Sequence, residues 1–200
     1  MSLLSFLHGL LFPKRKTELL LETCEELPKK LSVLKTYPFP TTALSSYDTE
    51  AVRAAIVETK FHGNKKGAKL LGALLASYIE GRFYPLSTAL VVPMPLSKER
   101  EKERGYNQVR RICEAAEEVL PGLVIHEALT RIKDTTPQTE LSKNERKENL
   151  EDAFTCLTLD PSYTYLLVDD VTTTGATLYE AIRTLQKAGA TTIVPIALAH

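Results

Sequence analysis

A chain of 200 residues is long enough for one domain with a substantial core, or for a core plus a small appendage. Its 25 basic and 25 acidic residues cancel to a formal charge of +0, which excludes bulk attraction to nucleic acid or to an anionic membrane as the organising force. Cys24, Cys113 and Cys156 are widely separated, with no CxxC pair and no histidines at metal-ligand spacing, so they read as reduced thiols of a cytoplasmic protein.

At the N-terminus, MSLLSFLHGLLFPKRK is too short to span a bilayer, and its basic cluster follows the apolar stretch instead of preceding it, which argues against a signal peptide. Leu3, Leu4, Phe6, Leu7, Leu10 and Leu11 fall near helical spacing and predict a packing helix ended by Pro13, with a weak interfacial helix as the alternative. Residues 17–34 are compatible with helix, and 37–40 (YPFP) read as an extended linker. An N-terminal extension, 1–43, is expected to give way to the main domain, 44–200. There Val52, Ala55, Ile56 and Thr59 predict a helix stopped at FHGN, 61–64, and Leu71, Leu74, Leu75, Tyr78 and Ile79 predict a second helix. His62 reads as a cap or surface residue.

Residues 88–94 (TALVVPM) predict the first strand, with Pro93 at its end or on an edge. In the PLSKEREKERGYNQ that follows, Lys98, Arg100, Lys102 and Arg104 alternate with Glu99, Glu101 and Glu103, a pattern that suits a solvated helix or loop as well as an anion site. Residues 104–108 (RGYNQ) are poor choices for a helix interior and predict a loop that opens a helix. The apolar stripe of that helix is Val109, Ile112, Cys113, Ala116, Val119 and Leu120, closed by Pro121-Gly122. Cys113 lies within the stripe and reads as packing. LVIHEALTRI, 123–132, predicts a strand. It leads into a long polar connection carrying Arg131, Lys133, Lys143, Arg146 and Lys147, which reads either as a basic lid over a charged leaving group or as an exposed loop with a short helix at 143–150. Residues 153–159 predict the returning strand, with Cys156 packed.

The most informative stretch is YLLVDDVTTTGAT, 165–177. Tyr165, Leu166, Leu167 and Val168 form a run too short for a helix and suited to a buried parallel strand. It stops at Asp169 and Asp170, followed by Val171, Thr172, Thr173, Thr174, Gly175, Ala176 and Thr177. A loop of small residues at a helix start offers free N–H groups to an anion, so phosphate is the expected occupant. The aspartates, acceptor-only when ionised, suit vicinal sugar hydroxyls or a hydrated divalent cation. An ordinary turn and cap is the bland alternative; a nucleotide P-loop is disfavoured because its lysine and second glycine are missing. Leu178, Ala181, Ile182, Leu185 and Ala188 then predict a helix stopped by Gly189, and 192–199 a final strand. Alternating strands and helices imply a parallel α/β sheet with ligand at the carboxyl ends of its strands.

Residues 165–177 resemble the 5-phosphoribosyl 1-pyrophosphate (PRPP) motif of type I phosphoribosyltransferases. KFHG at 60–63, VPMPL at 92–96, ERGYNQ at 103–108 and the scattered Arg131, Pro137, Gln138, Leu141, Arg146, Asn149 and Phe154 extend the resemblance to the ComF family of that fold, over 44–200. The resemblance implies a parallel-sheet core with helices on both faces and a small N-terminal helical hood. It places Asp169 and Asp170 on the ribose hydroxyls and residues Val171 to Thr177 around the 5-phosphate. Pro95, Leu96, Lys98, Arg100 and Arg104 fall at the pyrophosphate, Asn107 joins the ligand-binding set, and 130–149 is the flexible loop that carries Arg146. The implied activity moves a phosphoribosyl group from PRPP, bound with magnesium, to a nitrogenous acceptor, with Asp169, Asp170, Arg104 and Arg146 as the catalytic residues. Non-catalytic sensing of PRPP or a nucleotide, and a competence role in DNA uptake with a nucleic-acid partner, are the alternatives. A homodimer fits the expectation; a membrane partner does not. Members of the family usually carry an N-terminal four-cysteine zinc ribbon, whereas Cys24 stands alone in that region here, so no zinc is expected.

Overall fold

Tyr165, Leu166, Leu167 and Val168 are all buried in the middle of strand β7 (Thr164–Val171). Leu166 and Val168 belong to one core cluster and Tyr165 and Leu167 to the other, so the strand is apolar on both faces, as a central parallel strand must be. The structure, a computed structural model, describes residues 14–35, 40–133 and 152–200. In chain order the remaining strands are β1 (Ser32–Leu34), β2 (Thr41–Ser45), β3 (Ala89–Pro93), β4 (Val124–Ile125), β5 (Leu129–Arg131), β6 (Phe154–Cys156) and β8 (Thr192–Ala199). The helices are α1 (Lys16–Thr23), α2 (Glu50–His62), α3 (Lys65–Phe83), α4 (Lys98–Arg104), α5 (Gln108–Val119) and α6 (Ala176–Lys187).

The central sheet runs β1-β2-β8-β7-β3-β4. β1 pairs antiparallel with β2, and every other pairing is parallel, so the carboxyl ends of β2, β8, β7, β3 and β4 share one edge. Residues of α1, α2, α3 and α5 fill the core on one face; α6 and the β5–β6 pair cover the other. The expected α/β class, with a mostly parallel sheet and helices on both faces, is therefore the observed one.

Helices α3 and α5 cross closely because Gly72 has no side chain. A Cβ built there would sit 2.7 Å from Ala115 Cβ and 2.8 Å from its backbone carbon. Gly72→Ala should gain up to about 1 kcal/mol of helix propensity and lose more to overpacking. The expected net loss is about 1–2 kcal/mol, read as a lower urea midpoint with an unchanged slope.

Several expectations shift. Residues 17–34 are helical only as far as Thr23; Cys24 is already extended, Pro28 disfavours a return to helix at Leu27, and the chain runs on into β1. Strand β2, which the linker reading did not anticipate, spans the boundary expected between 43 and 44 and pairs with β8, so the sheet begins before that boundary. Of the expected hood, the helix at residues 3–11 lies outside the described residues. α1 packs on the α2–α3 layer, where Arg15 binds Glu58 through Nε at 2.8 Å and Nη2 at 2.7 Å, and Thr17 Oγ1 adds a bond at 2.6 Å. That guanidinium, aided by the Thr17 hydroxyl, holds the buried Glu58 carboxyl down at about 2.

LVIHEALTRI is two strands in two sheets. His126 N–H still bonds Val91 O at 2.7 Å, but the turn closed by Ala128 N–H on His126 O at 2.9 Å lifts the chain away to form β5. Of the returning strand only Phe154–Cys156 is extended, pairing antiparallel with β5, and Cys156 is half-buried. The 37–39 part of the linker, the polar connection from 134 to 151, its possible helix and Arg146 lie outside the described residues. Cys113 is fully buried, and burial pushes its thiol far up, which suits packing.

Candidate functional site

The hexapeptide ERGYNQ ties three elements together at the carboxyl edge. Gly105 closes α4 with a left-handed φ of 79°, a conformation that a Cβ would oppose. Tyr106 donates its hydroxyl to Thr59 O at 2.9 Å and stacks its ring under the Arg111 guanidinium, 3.6 Å away, which fixes the last turn of α2. Asn107 caps α5: its Oδ1 accepts from Val109 N at 2.9 Å and Arg110 N at 3.3 Å, while Nδ2 donates to Met94 O at 3.0 Å. Gln108, the first residue of α5, is buried and reaches across to β7.

Asp170 is buried at the end of β7 and its oxygens are well supplied. Oδ1 accepts from Val171 N at 2.7 Å, Oδ2 accepts from Gln108 Nε2 at 2.9 Å, and Lys60 Nζ lies 3.9 Å from Oδ2. Gln108 Oε1 in turn accepts from Arg104 Nη1. A guanidinium can only donate, so the amide of Gln108 is oriented with its NH2 towards Asp170. Asp169 is half-buried and accepts the Asp170 N–H at 2.9 Å. Burial, reinforced by the neighbouring Asp170 charge, pushes the Asp169 carboxyl up to about 7, and Lys60 and Arg131 oppose that rise.

Both acids line a cavity of about 130 Å³ together with Lys60, Pro95, Leu96, Arg100, Arg104, Gln108, Arg131 and Thr177. A larger cavity of about 580 Å³ lies next to it, and Lys60 borders both. Val171, Thr172 and Thr173 form part of its wall. Between the cavities the chain turns at Gly175, with φ 73°, and enters α6 without a side-chain cap. The first N–H groups of α6 have no intrahelical acceptor.

The structure thus brings Pro95, Leu96, Arg100, Arg104, Asp169, Asp170 and Thr177 to the smaller cavity and Val171, Thr172 and Thr173 to the larger. Thr174, Gly175 and Ala176 make the connecting turn and helix start. Lys98 is exposed on α4, and the polar atoms of Asn107 are engaged in capping α5 and holding it to the end of β3. Among the described residues no helix is long and apolar enough to cross a membrane.

No family model matches the chain. It is 31% identical over 145 residues to competence protein ComFC of Bacillus subtilis, an alignment that covers 70% of this chain and 55% of that one. Competence protein F of Haemophilus influenzae is 35% identical over 102 residues, covering 50% of this chain and 44% of its own. The DNA utilization protein YhgH of Escherichia coli strain K12 is 35% identical over 103 residues, covering 52% and 45%. The chain is a homologue of the ComF competence proteins. It spans about half the length of these relatives. A solved structure described as the allosteric regulatory enzyme of purine biosynthesis superposes with a TM-score of 0.43 at 18% identity, covering 70% of this chain and 30% of the other.

Two residues of the site in this ComF homologue stand outside the expected set. Lys60, quoted only as part of KFHG, borders both cavities because α2 ends over the carboxyl edge. Gln108 carried a legible signal: it sits four residues before Ile112, on the apolar face of α5. A polar side chain in such a stripe needs a buried partner.

Proposed function

We propose that the chain binds PRPP with magnesium and transfers its phosphoribosyl group to a nitrogenous acceptor, releasing pyrophosphate. The observation that carries this reading is the pairing of two carboxylates with four basic side chains, Lys60, Arg100, Arg104 and Arg131, around one small cavity beside an uncapped helix start. Acids and cations together suit a ligand that offers hydroxyls at one point and phosphoryl oxygens at another.

In this reading Asp169 and Asp170 accept the ribose hydroxyls, and residues 172–177 hold the 5-phosphate through backbone N–H groups and threonine hydroxyls. Arg100, Arg104 and Arg131 face the pyrophosphate and stabilise the charge that grows on it as its bond to C1 breaks. Ionised carboxylates close to the ribose favour the positive charge developing at C1. The donor set fits a magnesium ion, since paired aspartates are the hard oxygen ligands it takes, and Asp169 and Asp170 would hold it through its water shell. When bound, magnesium supplies neutralisation of phosphoryl charge.

Calorimetric titration of the chain with PRPP and magnesium tests the reading: saturable heat is expected, and its absence at saturating magnesium removes it. The names of the relatives favour a second reading, a competence role in handling DNA. A salt-dependent mobility shift with single-stranded DNA, independent of PRPP, would support it.

A further inference from the structure

Glu180 belongs to the packed side of α6, with Leu178, Ala181, Ile182 and Leu185, and is only 4% exposed. A carboxyl buried there is costly unless its oxygens are bonded. Both are. Oε2 accepts from Arg183 Nη1 at 3.2 Å, and Oε1 accepts from the backbone N–H of Asp152 at 3.2 Å. An acid needed only for Arg183, whose side chain is 36% exposed, could stay in solvent. What the buried position adds is the bond to Asp152.

Asp152 is the one non-glycine residue with a left-handed φ, 54°, among the described residues. An L side chain resists that conformation, which persists where a neighbour holds it. The Asp152 carboxylate meets Lys187 Nζ at 3.7 Å on the surface, a contact of little strength, so the firmer hold is the Glu180 bond. From Asp152 the path to the site is short. Ala153, fully buried, accepts the Ile132 N–H at 2.9 Å, and Phe154 stands opposite Arg131 in the β5–β6 register. The Arg131 guanidinium lies 5.6 Å from the Phe154 ring centre, and Arg131 lines the smaller cavity with both aspartates.

We propose that Glu180 is a positioning residue, which pins Asp152 and thereby fixes where Arg131 stands relative to the phosphate loop at the start of the same helix. The inference rests on the PRPP reading above, in which that loop holds the 5-phosphate and Arg131 faces the pyrophosphate. α6 carries both ends of the arrangement: Thr177 borders the cavity, and Glu180, one turn further on, holds the strand pair. The quantity it sets is the distance between two phosphoryl sites. A ligand that occupies both sites feels the change, and a sugar phosphate without the pyrophosphate does not.

The test titrates the full chain, with magnesium, with PRPP and with ribose 5-phosphate. Glu180→Leu removes both oxygens at similar volume; it should weaken PRPP about tenfold and ribose 5-phosphate less than about twofold. Glu180→Gln keeps an oxygen for the Asp152 N–H and should bind both ligands as the parent does. Asp152→Pro removes that N–H and cannot adopt the positive φ. It leaves α6 untouched, should reproduce the pattern of Glu180→Leu, and decides the matter if Glu180→Leu fails to fold. In an Arg131→Leu background, Glu180→Leu should add no further loss, because it acts through that side chain. Equal losses for the two ligands, a loss in Glu180→Gln as large as in Glu180→Leu, additive losses with Arg131→Leu, or parent-like PRPP affinity in Asp152→Pro overturns the inference. Absence of PRPP heat in the unmodified chain removes the underlying reading and this inference with it.

Discussion

Asp169→Asn is expected to abolish detectable PRPP heat while making the unliganded protein more stable at pH 8. Burial and Asp170 raise the folded-state pKa of Asp169 from the ordinary carboxylate range to about 7. A group whose folded pKa lies above its unfolded one stabilises the fold when protonated. That contribution is complete below about pH 4 and is lost as pH rises through about 7. Above that pH the native chain must hold a carboxylate it would rather protonate, and Asn removes the cost. With Asp169 half-buried, the full shift is discounted, leaving about 2 kcal/mol. Denaturation midpoints at pH 5 and pH 8 measure this: the gap between variant and parent should be small at the first and larger at the second. A variant no more stable at pH 8, or one that binds PRPP as the parent does, rejects the role given to Asp169.

The double change Asp169→Asn with Asp170→Asn should also eliminate binding, but it is the less clean probe. Gln108 presents its NH2 to Asp170, oriented by Arg104, so an Asn at 170 must turn its oxygen to Gln108 and give up the bond from Val171 N or rotate the whole chain of amides. Part of its effect would be local repacking.

Lys60→Met should weaken PRPP binding roughly tenfold to a hundredfold and move the acidic limb of the binding profile to higher pH. Lys60 Nζ is 3.9 Å from Asp170 and opposes the rise of the Asp169 pKa. Without it Asp169 titrates higher still, and if the ribose needs the ionised acid, half-maximal binding requires a higher pH. Titrations at a series of pH values read both effects. A weaker Kd with the limb unmoved would mean that Lys60 touches the ligand without tuning the acids, and no change in either would exclude it from the site.

The elements around the site were legible where one residue type does one local job. The β7 run reads as a buried strand because its apolar side chains face helices on both sides, and α6 starts where Gly175 allows a left-handed turn. β2 was hidden because five residues of TTALS carry no strong period of their own and become a strand by pairing with β8. LVIHEALTRI read as one strand because apolar alternation does not reveal which sheet each half will join.

Within the site, the acidic pair, the threonine-glycine loop and the basic run after β3 could be picked out from local chemistry, as clustered carboxylates, small hydroxyl residues at a helix start, and cations. The chain itself therefore determined the strand–loop–helix unit and the residue types it presents at the carboxyl edge. Tertiary structure alone decided that Lys60, at the end of α2, and Gln108, at the start of α5, stand against Asp170, and that Glu180 is tied to Asp152. Those distances depend on how distant segments pack, since hydrogen bonds and ion pairs between elements act across a few ångströms of space whatever the separation along the chain.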